Sequence, residues 1–468
     1  MIEVLAPSSK SISHRYLVAA ALAQGQSQIH NVLDSDDTGR TRDILALAGA
    51  RFEPITEPGG TLGYRVTGTG GKLYGGESSP LSCYVHESGT TCRILTAVLA
   101  SGQGSFRIHG VPRMHERPIG DLVTSLRLLG CSVTYEGKEG YPPLLVRTRG
   151  LKADALPPME HVGRNALPIS MEESSQYFSG LLLAAPQAKA PFTIVLSGTR
   201  VVSWPYIGLT LQCLADFGIK FLVETREAVD DEAMWECEDW RSLTHVEPGC
   251  LRIKVQPGPY HAGKVQVEGD WSGASYLVAA GAVGREPVCV EGVNPRSLQG
   301  DRVLLDILKE MGANIETHYR SLVIRPCPLR GIEVDMGQSP DLVPTVAAIA
   351  AFAEGDTTIT NVAHLRIKES DRIHAPAEAL RRVGVTVTER EDGLTVHGMG
   401  HDARVSLEGV RFDTMNDHRI AMSSAILSLR SIDVRPAEMR RHVDNPDVVR
   451  KSFPSFWNVW EAFSNAND

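Results

Sequence analysis

A helix that is apolar on every side has to be buried, and this chain repeats such a helix six times. The segments are 16–23, 92–100, 177–185, 274–283, 342–353 and 420–429, each rich in Ala, Leu, Val and Ser. Each follows a polar stretch rich in helix-capping residues, beginning near Ser11, Thr90, Ser175, Ser272, Asp341 and Asp417, at spacings of 69 to 97 residues. A second pattern interleaves with the first: a helix end, a glycine, then an alternating strand. It closes on Gly49, Gly130, Gly218, Gly312 and Gly384, and predicts α-helix running into β-strand, as at 131–135 and 385–389. The chain therefore reads as α/β repeats, each with one buried and one more exposed helix. The interval is too long for solenoids, whose units run roughly 20 to 50 residues.

Charge narrows the partners. Lys and Arg total 47 against 56 for Asp and Glu, a net −9, which argues against a nucleic-acid groove or an anionic membrane surface. No apolar run reaches the ~18 residues of a spanning helix. Lys10 and Arg15 ahead of 16–23 imitate a secretory leader, but Glu3 and the polar stretch 8–14 spoil it, so a cytoplasmic protein is expected. The 8 cysteines contain no Cys-x-x-Cys pair, in keeping with a reducing compartment.

The polar stretches admit two readings, simple capping or anion binding. Lys10-Ser11-Ile12-Ser13-His14-Arg15, Ser88-Gly89-Thr90, Ser174-Ser175-Gln176 and Asn416-Asp417-His418-Arg419 place cations or small donors at the positive ends of apolar helices, where free N–H groups and the macrodipole attract anions. In 112–119, either a solvated loop or a carboxylate or phosphate clamp fits, with Arg117 the better clamp residue because Pro118 stiffens it. In 366–372, five charges in seven residues fit an exposed helix with Lys368–Asp371 and Arg372–Glu369 pairs, or a site. Gly258 to Lys264 imitates a P-loop, but Val265 stands where Mg²⁺ needs Ser or Thr. The Gly68-Thr69-Gly70-Gly71 run lacks the dinucleotide fingerprint, and the 15 histidines show no zinc spacing. No metal is expected.

Taken in order, ten motifs resemble the signature set of the 5-enolpyruvylshikimate-3-phosphate synthase family of enolpyruvyl transferases. They are Lys10-Ser11 to Arg15, Ser88-Gly89-Thr90 to Arg93, Pro112 to Ile119, Ser174-Ser175-Gln176, Ser203-Trp204-Pro205-Tyr206, Glu268-Gly269-Asp270, Pro340-Asp341, Arg366 to Arg372, Asn416 to Arg419 and Lys451-Ser452-Phe453-Pro454. The resemblance implies two domains of three βαβαββ-type units each: 1–8 with 269–468, and an inserted 9–268. Crossings fall near 8–10 and 268–270, with the active site in the cleft and domain closure on binding. It further implies transfer of the enolpyruvyl group of phosphoenolpyruvate to shikimate 3-phosphate by addition and elimination, without cofactor or metal, in a monomer.

Those substrates bring roughly −5 to −6 of charge together, so a dense set of cations is needed. By the resemblance, Lys10, Ser11, Arg15, Ser174, Ser175, Gln176, Ser203, Tyr206, Asp341, His364 and Lys368 hold shikimate 3-phosphate. Lys10, Gly89, Arg117, Gln176, Arg372, Arg419 and Lys451 hold phosphoenolpyruvate, with Gly89 leaving room for a closely approaching ligand. Asp341 accepts the hydroxyl proton, Glu369 exchanges the C3 proton, and Lys10 stabilises developing charge. Departures from the family pattern are Glu87 for Asn, Ile94 for Pro, Trp271 and Gly273 in a small-residue run, and His364 for Asn. The stretch 224–250 reads as a surface insertion. Two rivals remain: the sister transferase acting on UDP-N-acetylglucosamine, which carries a reactive cysteine in the loop matching 113–117 where this chain has none, and a non-catalytic anion-binding homologue.

Overall fold

The computed structural model describes residues 1–467 apart from 57–60, 160–161 and 230–233, and a helix forms in each of the six apolar segments. These are α1 (Lys10–Leu22), α2 (Gly89–Ala100), α3 (Ser175–Ala184), α4 (Trp271–Val283), α5 (Val343–Ala350) and α6 (His418–Ile426). Burial is nearly complete. In α1 every residue from Ile12 to Leu22 is buried, and in α4 every residue except Ser272. Such helices gain their stability from packing rather than from an amphipathic face. Small residues set the spacing: a Cβ added to Gly180 on α3 would lie 3.1 Å from the Cβ of Ala97 on α2. The hand-over glycines, Gly49, Gly130, Gly218, Gly312 and Gly384, all adopt φ between 73° and 122°, the left-handed region where a Cβ is costly.

Contacts divide the chain into two compact units, Met1–Ser9 with Glu268–Asp468, and Lys10–Val267. One sheet plan recurs in both: an outer strand parallel to its neighbour, then two antiparallel strands. In the Lys10–Val267 unit the first sheet runs Lys264–Gln266, Gln26–Val32, Leu62–Thr67, Arg51–Thr56. The second runs Leu81–Tyr84, Gln103–His109, Leu144–Arg149, Ser132–Tyr135. The third runs Ala166–Met171, Phe192–Val201, Leu251–Val255, Phe221–Thr225, with Glu236–Cys237 added at its edge. Strand Lys264–Gln266 thus returns late in the chain to complete a sheet begun near residue 26.

In the other unit, Ile2–Leu5 pairs with Val288–Glu291, followed by Ser321–Arg325 and Asn314–Thr317. Glu333–Asp335, Asp356–Thr360, Gly393–His397 and Thr386–Arg390 repeat the order. The sixth segment departs from the expected unit. It keeps α6, but among the described residues its strands shrink to isolated parallel bridges, Val405 with Ser431 and Phe412 with Val443. Turns opened by Pro436 and Pro446, which cannot donate to a ladder, carry the chain instead. Phe453 and Phe456 then bury the segment bearing Lys451, their ring centroids 5.5 Å apart. Among the described residues no helix is long and apolar enough to cross a membrane, and no His, Cys, Asp and Glu cluster is arranged to hold a metal ion.

The stretch 366–372 is not an exposed α-helix. A short 3-10 turn, Ala363–Ile367, gives way to irregular chain. The Arg372–Glu369 pair forms at 2.9 Å, but Asp371 bonds Arg366 at 2.8 Å rather than Lys368. Arg372 is buried, because its charge is claimed by carboxylates beyond its own segment.

Candidate active site

In the Lys10–Val267 unit, α1, α2 and α3 pack on one another, and hydrogen bonds tie their first turns together. Ser88 caps α2, its hydroxyl accepting from the N–H of Thr91 at 3.2 Å. Thr91 in turn meets Thr41 at 2.8 Å, and Thr41 meets Nδ1 of His14 on α1 at 2.8 Å. Ser174 caps α3 by accepting from Gln176 N–H at 3.2 Å. The Gln176 amide is held at both ends: Nε2 donates to Thr90 at 2.9 Å and Oε1 accepts from Arg93 at 3.1 Å. The capping contacts therefore also fix these first turns against one another.

Cations of this cluster are placed by partners. Lys10 Nζ lies 3.6 Å from Asp37, a carboxylate in the first turn of helix Asp36–Leu47. Arg15, 2% exposed, donates from Nε to Thr210 at 2.8 Å, from Nη1 to the Ser11 carbonyl at 2.8 Å, and from Nη2 to Ser179 and the Tyr206 carbonyl at 3.1 and 2.9 Å. One Nη1 donor remains. Burial pushes the Arg15 guanidinium down to about 10, so it stays charged at neutral pH. Burial, opposed by Asp37 but reinforced by Lys10 and Arg15, pushes His14 down to about 3, leaving a neutral ring among the cations. Ser203 is buried and takes φ of 58°, while Ser175 is buried in the first turn of α3 and Ser11 half-buried in that of α1.

Arg113 and Arg117 part company. Arg113 pairs with Glu116 at 2.6 Å on the surface, whereas Arg117 is 5% exposed and donates to the Glu87 carbonyl at 3.2 Å. Glu87 therefore contributes its main chain to Arg117. A Cβ at Gly89 would stand 2.5 Å from Nη2 and 2.7 Å from Cζ of Arg117. The glycine thus makes room for the guanidinium, which a Cβ would push aside. Gly89→Ala is expected to displace the guanidinium and weaken any anion that Arg117 holds tenfold or more, since a hydrogen bond to a charged group contributes about 1.5–3 kcal/mol; titration calorimetry of the parent and the variant with an anionic ligand checks it.

In the other unit α4, α5 and α6 likewise pack together, and Ser275 on α4 meets Thr345 on α5 at 3.1 Å. Their ends carry a dense ionic cluster. Arg372 Nη1 reaches Asp341 at 2.9 Å, Nη2 reaches Glu369 at 2.9 Å, and its Nε and Nη2 fork onto Asp417 at 2.7 and 3.1 Å. Arg419 reaches Asp341 at 2.6 Å, and Lys451 lies 3.7 Å from Glu369. Asp417 is fully buried; it also accepts from Ser370 at 2.9 Å and caps α6 by accepting from Arg419 N–H at 2.9 Å. Burial alone would raise Asp341, but Arg419, Arg372 and Lys368 hold it down to about 2 despite Glu369. His364 is buried on the Ala363–Ile367 turn.

Several residues in these clusters carry no sequence signal of their own. Asp37 looks like an ordinary first-turn acid, and Thr41, Ser179 and Thr210 like helix interior. Asp417 marks a helix start but not the arginine it holds from 45 residues away. Asp301, 4% exposed, bonds Ser272 through one carboxyl oxygen while the other has no hydrogen-bond partner among the described residues. Burial and the charge of Asp341, only partly offset by Arg419, raise its carboxyl to about 7.

The EPSP synthase (3-phosphoshikimate 1-carboxyvinyltransferase) family model matches residues 2–230 and 244–460. The skipped residues, 231–243, fall within the 224–250 stretch. A 3-phosphoshikimate 1-carboxyvinyltransferase of Ralstonia nicotianae is 38% identical over 463 residues, 97% of this chain and 95% of that protein. One of a Marinomonas species is 35% identical over 463 residues, 99% and 97% of the two chains. Among solved structures, an EPSP synthase of Acinetobacter baumannii superposes with a TM-score of 0.71 at 24% identity, covering 99% of this chain and 96% of the other, a likeness of fold.

Proposed function

The chain belongs to the EPSP synthase family, and on that premise we propose that the buried cations described above hold phosphoenolpyruvate and shikimate 3-phosphate. The enzyme transfers the enolpyruvyl group of phosphoenolpyruvate to the 5-hydroxyl of shikimate 3-phosphate, releasing phosphate. In our reading, Lys10, Ser11, Ser174, Ser175, Gln176, Ser203, Tyr206, His364 and Lys368 take shikimate 3-phosphate. Arg15 orients Ser11 and Tyr206 and offers its remaining donor. Gly89, Arg117, Gln176, Arg372, Arg419 and Lys451 take phosphoenolpyruvate. The observation that carries this is the Arg372 and Arg419 pair crowded with three carboxylates. Guanidinium forks match carboxylate and phosphate geometry, so an anionic substrate can replace Asp341 and Glu369 as their partners.

Chemistry then follows from that exchange. Asp341, relieved of its arginines, accepts the hydroxyl proton as the oxygen attacks C2 of phosphoenolpyruvate. Glu369, which yields Arg372 to the substrate and takes up a proton, gives that proton to C3 and recovers it as the tetrahedral intermediate expels phosphate, which carries away the hydroxyl proton held by Asp341. Lys10 stabilises the developing charge. We read the protein as a cytoplasmic monomer. A phosphate-release assay tests the whole: release is expected only with phosphoenolpyruvate and shikimate 3-phosphate together. Turnover of UDP-N-acetylglucosamine in place of shikimate 3-phosphate would overturn the reading.

A further inference from the structure

We propose that the segment Trp235 to Leu243, all of which the family model passes over, is a brace that fixes the Ser203 turn and so sets affinity for the shikimate substrate. Four anchors hold it. Trp235 lies between two cations, Arg226 at 4.6 Å and Arg252 at 4.3 Å from its ring centroid. Glu236–Cys237 pairs antiparallel with the edge strand Phe221–Thr225, and Glu238 N–H continues that edge to the Val223 carbonyl at 3.0 Å. Trp240 is buried against Phe221, centroids 6.0 Å apart. Finally the Leu243 carbonyl accepts from the indole N–H of Trp204 at 2.9 Å.

That last bond lands beside the site. Trp204 is 2% exposed and separated from Tyr206 only by Pro205; Ser203 precedes it. Ser203 takes φ of 58°, a conformation costly to a non-glycine residue that persists only where the surroundings over-determine it. On its far side the turn is secured by helix Pro205–Asp216, where Tyr206 N–H donates to the Ser203 carbonyl at 3.3 Å and Ile207 N–H to the Trp204 carbonyl at 2.8 Å. On its near side the brace holds the indole. Trp204 and Leu243 therefore act through Ser203 as positioning residues.

The proposal rests on the reading that Ser203 contacts shikimate 3-phosphate, so its test carries a control for that reading. Two variants remove the brace independently: Trp204→Phe, which keeps an aromatic ring but loses the N–H, and excision of 231–243 with a short Gly/Ser join. Either variant that melts cooperatively within a few degrees of the parent is expected to raise the shikimate 3-phosphate KM about fivefold or more. The phosphoenolpyruvate KM and kcat should stay within twofold. Ser203→Ala is expected to raise the same KM. If Ser203→Ala does so while both folded brace variants leave it unchanged, the brace is refuted. Equal rises in both KM values would reduce the segment to a general structural role and also refute it. An unchanged KM in Ser203→Ala overturns the reading of Ser203 and the brace with it.

Discussion

Arg372→Ala is expected to destabilise its unit by about 3–5 kcal/mol and to weaken phosphoenolpyruvate binding more than tenfold, two losses with separate causes. The stability loss comes from Asp417. That carboxylate is fully buried and receives a two-point fork from Arg372; without the fork, a buried charge is left with only Ser370, a backbone N–H and its neighbours. Removing one partner of a buried pair is costly for this reason. The second loss comes from the guanidinium that an incoming carboxylate or phosphate would take over from Asp341 and Glu369. The double variant Arg372→Ala with Asp417→Asn separates them. Neutralising the stranded acid should recover part of the melting temperature, but none of the phosphoenolpyruvate affinity. Arg372→Lys should behave like the alanine variant for binding, because an ammonium cannot reproduce the fork onto Asp417 while also serving Asp341 and Glu369. Thermal melts and equilibrium binding on the same preparations check both. Full recovery of binding in the double variant would show that Arg372 is only a structural counter-ion.

How much of this was legible beforehand varies with the kind of interaction. Burial is a property of local composition, so the six helices could be read directly from runs such as 16–23 and 274–283. The hand-over glycines could be read because only a residue without a Cβ takes φ near 73° to 122° readily. The sixth sheet was overestimated, since the helix pattern at 420–429 persists where the strands around it do not. For the site, residue identities in the motifs are visible, but partnership is not. Nothing local says that Arg372 serves Asp417 rather than forming part of a solvated helix, or that Gly89 packs against the guanidinium of Arg117 from 28 residues away. Long-range ion pairs depend on which loops the fold brings together, and the helix-capping serines made the clusters resemble ordinary helix starts. The 224–250 stretch reads as surface, yet Trp240 is buried within it.

Asp341→Asn is expected to lower kcat by about 10²–10⁴, the range for loss of a positioned general base, while phosphoenolpyruvate binds as tightly as before or more tightly. The opposite signs follow from what Asp341 does in the unliganded protein. Arg372 at 2.9 Å and Arg419 at 2.6 Å, with Lys368, hold its carboxyl down to about 2 against the effect of burial, which makes it a poor base. Phosphoenolpyruvate occupying those arginines offsets the charges responsible, and the carboxyl becomes more basic once the group to be attacked is in place for the shikimate 3-phosphate hydroxyl. Its competition for the arginines is also a cost to binding that asparagine abolishes. The same depressed pKa fixes the pH dependence. A carboxyl held below its unfolded value stabilises the fold fully above that value, near 4, and its contribution disappears as pH falls toward 2. Asp341→Asn should lack this part of the acid transition and melt less steeply with falling pH. Calorimetric titration of phosphoenolpyruvate alongside single-turnover phosphate release reads both signs at once. Weakened binding together with retained turnover would overturn the assignment, because it would make Asp341 a substrate ligand rather than the proton acceptor.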